Sequence, residues 1–335
     1  MKKLIIYFVV ALFTLSGCNY NKNQEKTTST KPIKIGMLKL SSSAPLFIGI
    51  EKGFFKEQNL DIEPTWFDAA QPIAVATAGG DLDIGATGIT ASLYNMVANG
   101  QKLTIVADKG REAKGYSSNA LMVSPKSQIN KIEDLKGKKV GITQTGSTYH
   151  YMIGRLLELH GLSLKDIELV PLNSVNGMIE AIKNEAIDAT LLTEPHVSNA
   201  INQGYGKLLV SVGDEMDYQT SAIFLSEKFK EKKDIALRFL KAYVKSTRYY
   251  NEAITQKESQ KYKEVISIIA KYTKQPEESI KKGLPFIDYN AKVLKDDIET
   301  QISWYHKENL IEQQVNVSDI LNTDLLDQVI NQIGD

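Results

Sequence analysis

Residues 33–67, IKIGMLKLSSSAPLFIGIEKGFFKEQNLDIEPTWF, carry the reading that decides the fold. A β-branched run from Ile33 to Leu38 predicts a strand, the amphipathic stretch Pro45 to Gln58 a helix, and Asp61 to Phe67 a second strand. Outward from this unit the same alternation continues: Gln71 to Ala78 reads as helix, Leu82 to Ala86 as strand, Thr90 to Ala98 as helix and Leu103 to Ala107 as strand. Short β-branched runs separated by longer amphipathic ones mean a mostly parallel sheet with helices on both faces.

The chain also repeats itself. Sliding it along its own length without a gap lays Lys34-Ile35-Gly36 on Lys139-Val140-Gly141, Ser42-Ser43 on Ser147-Thr148, and Ile48-Gly49 on Ile153-Gly154. The same shift places Asp61-Ile62-Glu63 on Asp166-Ile167-Glu168, Asp83 on Asp188, and Lys102-Leu103 on Lys207-Leu208. Identities alone are sparse, but they fall at equivalent points of the strand-helix order, which predicts two similar α/β lobes. Beyond the second copy, Ser221 to Leu225 is a last strand, and helices are expected at Asp234–Ala253, Glu258–Tyr272, Ala291–Glu308 and Leu325–Gln332. In the first of these, Ile235, Phe239, Tyr243, Thr247 and Tyr250 make one apolar face that must pack on a folded body. Lobe one is then residues 33–120 plus 217–335 and lobe two 121–216, hinged near Leu121-Met122-Val123 and Ser221-Ala222-Ile223.

Lys2 and Lys3 precede an apolar run, Leu4 to Leu15, and Leu15-Ser16-Gly17-Cys18 follows. A basic start, a short apolar core and small residues before a cut predict an export signal over residues 1–17. The last four residues resemble a bacterial lipobox, in which the cysteine is diacylated. Cys18, the single cysteine, is thus expected to be a lipid anchor, and residues 18–31, with no aliphatic side chain after Cys18, a tether. The alternative is a cleaved signal with an incidental cysteine. One cysteine also excludes a disulfide framework and a Cys-rich zinc site. The 40 Lys+Arg balance 40 Asp+Glu, and the signal takes two lysines with it, so no cationic surface for nucleic acid remains.

In parallel sheets ligands collect beyond the carboxyl ends of the strands. The repeat pairs the loops that meet there: Lys39 to Pro45 with Gln144 to Tyr149, and Ala86 to Thr90 with Leu191 to Pro195. Hydroxyls at helix starts, where amides lack partners, favour an anionic or polar group. Candidate ligand contacts are therefore Ser42, Ser43, Thr87, Gly88, Gly146, Ser147 and Thr148. For Ser43 and Thr148 the competing role is helix capping alone. Glu194 reads either as an acceptor for a ligand amine or as an early-helix acid opposing the macrodipole. Lys109 and Arg111 follow the fourth strand as charge candidates, against the default of a solvated surface cation. Among Trp66, Tyr149, Tyr151, Tyr116 and Tyr218, packing is the default, and Trp66 and Tyr149 are the strongest wall candidates. The four histidines match no zinc motif, and no nucleophile-elbow, P-loop or dinucleotide motif occurs in its required context, so neither metal nor cofactor is expected.

The lipobox, Ala44-Pro45-Leu46-Phe47-Ile48-Gly49-Ile50-Glu51-Lys52-Gly53-Phe54-Phe55, Ala78-Gly79-Gly80-Asp81-Leu82-Asp83-Ile84-Gly85 and Gly146-Ser147-Thr148 together resemble the substrate-binding lipoproteins of ABC importers, in the nitrate/sulfonate/taurine and thiamine-pyrimidine-precursor group. The resemblance covers residues 33–225. It implies a two-lobed type II periplasmic-binding-protein fold, capture of a small-molecule ligand by lobe closure, and delivery as a monomer to a membrane permease with a cytoplasmic ATPase. In the sulfonate branch, loops matching Ser42-Ser43, Thr87-Gly88 and Gly146-Ser147-Thr148 hold the anionic head. A binding protein for a heteroaromatic thiamine precursor, a pyrimidine-forming enzyme and a lipid-anchored sensor are the alternatives.

Overall fold

The computed structural model describes residues 31–334. The signal peptide, Cys18 and residues 19–30 of the tether lie outside the described residues. No helix among the described residues is long and apolar enough to cross a membrane.

Two five-stranded sheets organise the described residues. Strands β1 (Ile33–Met37), β2 (Ile62–Trp66), β3 (Ile84–Gly88), β4 (Leu103–Glu112) and β10 (Tyr218–Ser226) form the first, in the order β2-β1-β3-β10-β4. Strands β5 (Asn119–Val123), β6 (Lys139–Ile142), β7 (Glu168–Pro171), β8 (Ala189–Thr193) and β9 (Lys207–Ser211) form the second, in the order β7-β6-β8-β5-β9. Each sheet has one reversed strand: β10 runs antiparallel to β3 and β4, and β5 antiparallel to β8 and β9. The reversed strand is the one the chain forms as it enters from the other sheet, so the two sheets are copies in order as well as in sequence. Asp83 and Asp188 show the copying in detail. Asp83 Oδ2 accepts the Lys34 amide at 3.0 Å and Asp188 Oδ2 the Lys139 amide at 2.8 Å, each tying the start of one strand to the start of its neighbour. Pro64 and Pro171 sit in β2 and β7, the edge strands, where a missing N–H leaves no ladder bond unmade.

The central strands β5, β8 and β10 are buried along their whole length, which is why each carries an apolar stretch: Ala120–Val123, Leu191–Leu192 and Ala222–Leu225. That property corrects the expected hinge. Leu121-Met122-Val123 lies within β5 and Ser221-Ala222-Ile223 within β10, whereas the chain passes between sheets over residues 113–118 and 212–217. The two passages are joined, the Gly213 amide donating to Ser117 Oγ at 2.9 Å.

Two further expectations change at their ends. The helix expected over Pro45–Gln58 is two, Ala44–Glu51 and Phe54–Glu57, parted at Gly53, whose φ of 74° lies in the left-handed region. The fourth strand extends past Ala107 to Glu112, so Lys109 and Arg111 are inside it. The C-terminal helices occupy Lys233–Thr255, Gln260–Thr273, Lys295–Lys307 and Asp324–Ile333. Phe239, Tyr243, Thr247 and Tyr250 of the first are fully buried as its periodicity requires, in a core shared with Phe47, Phe55 and Ile269.

Candidate functional site

Where the carboxyl ends of the two sheets face each other, a cleft of about 60 Å³ is enclosed by Leu38, Leu40, Ser42, Ala70, Gly88 and Lys109 from one side and Asn119, Thr143, Ser147, Thr148, Tyr149, Val175 and Thr193 from the other. Asp68, Ala69, Ser118, Met152, Thr220 and Ser221 complete the wall. The lining reproduces the internal repeat: Leu38 and Thr143, Ser42 and Ser147, Ala70 and Val175, Gly88 and Thr193 are equivalent positions in the two copies. Four helices begin on this wall, following Ser42 and at Ala70, Thr148 and Val175. Their first-turn amides, which have no intrahelical acceptor, give the cleft a positive potential.

Among the described residues, the one cation in the wall is Lys109, 1% exposed on β4. Its ammonium donates to Ser42 Oγ at 2.8 Å, which uses one of three N–H groups. Desolvation lowers its pKa to about 7, opposed by the neighbouring Asp108. Asp108 is not its hydrogen-bond partner. That carboxylate accepts from Gly110 N at 2.8 Å, Gln219 Nε2 at 2.5 Å and Asp288 N at 2.7 Å, while burial raises its pKa to about 6. A buried lysine whose remaining donors face a small cavity, ringed by hydroxyls and helix N-termini, suits a compact anion.

Of the eleven residues expected to touch a ligand, Ser42, Gly88, Lys109, Ser147, Thr148 and Tyr149 meet in this cleft. The other five are placed elsewhere. Ser43 donates its hydroxyl to Leu38 O at 3.0 Å, a contact inside its own turn. Thr87 is fully buried in β3, out of the lining, with no partner for its hydroxyl. Gly146 lies outside the cleft, its carbonyl accepting from Ala91 N at 2.9 Å. Glu194 is the early-helix acid, accepting from Ser198 N at 3.0 Å and Ser198 Oγ at 2.9 Å. Trp66, 38% exposed, lines a groove of about 440 Å³ that adjoins the cleft through Leu38, Leu40, Asp68 and Val175. Of the remaining aromatics, Tyr151 and Tyr218 stack on each other at 4.7 Å in the core behind the cleft, and Tyr116 packs edge-on against Phe286. Arg111 lies over the Phe286 ring, 4.3 Å from its centroid, and is absent from the lining.

Sequence reasoning missed Thr143, Val175 and Thr193, although the self-alignment would have delivered each as the partner of Leu38, Ala70 and Gly88. It had no route to Ser118, Asn119, Thr220 and Ser221. These stand at the starts of the reversed strands β5 and β10, which the repeat does not contain.

Comparison with known proteins agrees with this architecture. The chain is 25% identical over 99% of its length, and 98% of the relative's, to a putative aliphatic sulfonates-binding protein of Bacillus subtilis. An alkanesulfonate-binding protein of Xanthomonas axonopodis pv. citri bound to MOPS superimposes with a TM-score of 0.72 at 19% identity, covering 88% of this chain and 98% of that one. The periplasmic nitrate-binding protein of Synechocystis PCC 6803 superimposes with a TM-score of 0.76 at 15% identity, covering 91% and 89%. The fold is therefore the two-sheet α/β fold of periplasmic binding proteins, with a helical C-terminal part. With residues 26–269 matching the family model, the chain belongs to the NMT1-like family.

Proposed function

We propose that this protein is the extracytoplasmic substrate-binding component of an ABC importer, capturing a small organic anion of sulfonate type between two closing lobes and handing it to a permease with its ATPase. The observation that carries the reading is Lys109, buried at the cleft with two N–H groups unspent. The lining supports an anion: the buried ammonium, the hydroxyls of Ser42, Ser147 and Thr148 and the helix starts converge on the cleft. The lobes we propose are 33–120 plus 217–335 and 121–216, with residues 113–118 and 212–217 as the passages about which they turn. Closure then needs only that the anion bind the closed arrangement more tightly than the open one.

A thermal-shift screen tests the reading, because a ligand that binds the folded state raises Tm by mass action. Sulfonates or nitrate are expected to raise it and an uncharged aminopyrimidine to leave it unmoved; the reverse result removes the anion assignment. Released ligand identified by mass spectrometry after denaturing the purified protein is the parallel check, and turnover of any candidate would instead support an enzyme.

Affinity is expected to depend on pH. With the ligand-free lysine near 7, an anion that requires the charged form binds with proton uptake. Its Kd should weaken about tenfold between pH 6.5 and pH 8, since a one-unit departure above the pKa removes about nine-tenths of the charged form. Calorimetry in two buffers of different ionisation enthalpy reads the uptake directly, and a Kd flat across this range would remove Lys109 as the partner of the anion.

The lipid anchor at Cys18 is part of the same proposal. Cys18→Ser is expected to shift the protein from the membrane fraction to the soluble one, read by fractionation and immunoblot. Retention in the membrane would show another means of attachment.

A further inference from the structure

A chain of hydrogen bonds runs from a buried carboxylate at the end of β4 to the wall of the cleft. Glu112, fully buried at the end of β4, accepts at Oε1 from Ser118 Oγ at 2.7 Å and from Asn119 Nδ2 at 2.6 Å. Asn119 Oδ1 in turn accepts from Thr193 Oγ1. Thr193 Oγ1 lies 2.9 Å from the Tyr149 hydroxyl, and both residues line the cleft. Taken alone, the last contact allows either oxygen to donate.

The chain removes that freedom. A carboxylate oxygen only accepts, so the amide of Asn119 must turn its NH₂ to Glu112 and its carbonyl to Thr193. Thr193 has one proton and gives it to that carbonyl. Tyr149 must then give its own proton to Thr193, and what its oxygen has left is a lone pair. The side of the cleft at Tyr149 is therefore an acceptor, although the cleft at Lys109 and the helix starts is a donor.

We infer that Tyr149 is a specificity-determining residue that selects ligands carrying a hydroxyl or amine beside the anionic head, because the Glu112-Asn119-Thr193 chain holds its hydroxyl as an acceptor. This rests on the anion reading of the cleft and narrows it to hydroxy- or amino-substituted sulfonates. An unsubstituted alkyl chain at that position leaves a buried oxygen without a partner, which discriminates more strongly than an added methylene does.

Calorimetry with three probes of nearly equal size tests it: 2-hydroxyethanesulfonate, 2-aminoethanesulfonate and ethanesulfonate. The wild type is expected to bind at least one of the first two tenfold or more tighter than ethanesulfonate. In Tyr149→Phe that ratio should fall below threefold. In Thr193→Val the Tyr149 proton has no acceptor on the protein and turns toward the cleft, so the ratio should shrink or invert, a change that loss of packing alone does not produce. Equal affinities within threefold in the wild type, or a tenfold ratio kept in Tyr149→Phe, overturn the inference. Binding of none of the three overturns the anion reading and this inference with it, whereas tight, indiscriminate binding of all three overturns only the inference.

Discussion

Lys109→Met is expected to weaken binding of the anionic ligand at least a hundredfold and, at the same time, to raise the Tm of the ligand-free protein by about 3 °C. Both effects come from the same burial. In the closed cleft the ammonium is a desolvated charge aimed at the ligand, and a hydrogen bond from a charged donor contributes about 1.5–3 kcal/mol, which with the lost Coulomb attraction exceeds a hundredfold. Without ligand the same charge has only Ser42 Oγ and the field of Asp108 to offset its removal from water. Methionine keeps the length of the side chain and removes the charge.

The stability effect depends on pH. The folded-state pKa of Lys109, about 7, lies below the ordinary 10.5, so between these values the unfolded chain binds the extra proton. Stability contributed by this group therefore rises with pH across that window and is lowest below pH 7, where the charge must be buried. The advantage of Lys109→Met in Tm should be larger at pH 6 than at pH 9. Titration calorimetry and a melting series at both pH values measure the pair of effects. A variant that binds within threefold of the wild type, or that loses stability more at pH 6 than at pH 9, contradicts the assignment.

Gly88→Val is the second large effect, expected to weaken binding about fiftyfold, or about 2.3 kcal/mol, while the ligand-free protein stays folded. Gly88 ends β3 on one side of the cleft and faces Thr148, the first residue of a helix on the other. A Cβ at this glycine would stand 2.7 Å from Thr148 Cγ2, closer than carbon atoms approach without a shift. The two sides are already in contact at this point, so added bulk has to separate them and the closed arrangement becomes less favourable than the open one. The double variant Gly88→Val/Thr148→Ser removes the opposing methyl, keeps the hydroxyl, and should recover most of the affinity. Small-angle scattering with saturating ligand supplies an independent reading: the single variant should remain more expanded than the wild type. Unchanged affinity in Gly88→Val would mean that closure does not bring these residues together.

Much of this is legible in the sequence. The parallel strands of each sheet follow from the β-α-β alternation, and the internal repeat carries its logic to side chains as particular as Asp83 and Asp188, which make the same bond in each copy. Positions equivalent under the repeat line the cleft in pairs, because parallel strands of a copied sheet end on the same side. The errors share a cause. The fourth strand runs on past Ala107 through Asp108, Lys109 and Glu112, charged residues that in a chain segment ordinarily mean exposure. Here each charged group is buried, Glu112 with Ser118 and Asn119 from the turn that follows it, and Asp108 and Lys109 with partners drawn from distant segments, Gln219 and Asp288 for Asp108 and Ser42 for Lys109. No local pattern announces a partner so far along the chain.

The sequence by itself determined what local periodicity and repetition can encode: two α/β sheets of one design, a helical C-terminal part, and loops rich in hydroxyls and glycine at the strand ends. Only the tertiary structure decided which of those loops share a cavity, because that depends on two reversed strands, β5 and β10, that the repeat does not contain. It also decided which way the protons point. Whether Tyr149 offers a hydrogen or a lone pair is settled by a carboxylate three side chains away, through contacts that exist only once residues 112, 119, 149 and 193 have been brought together.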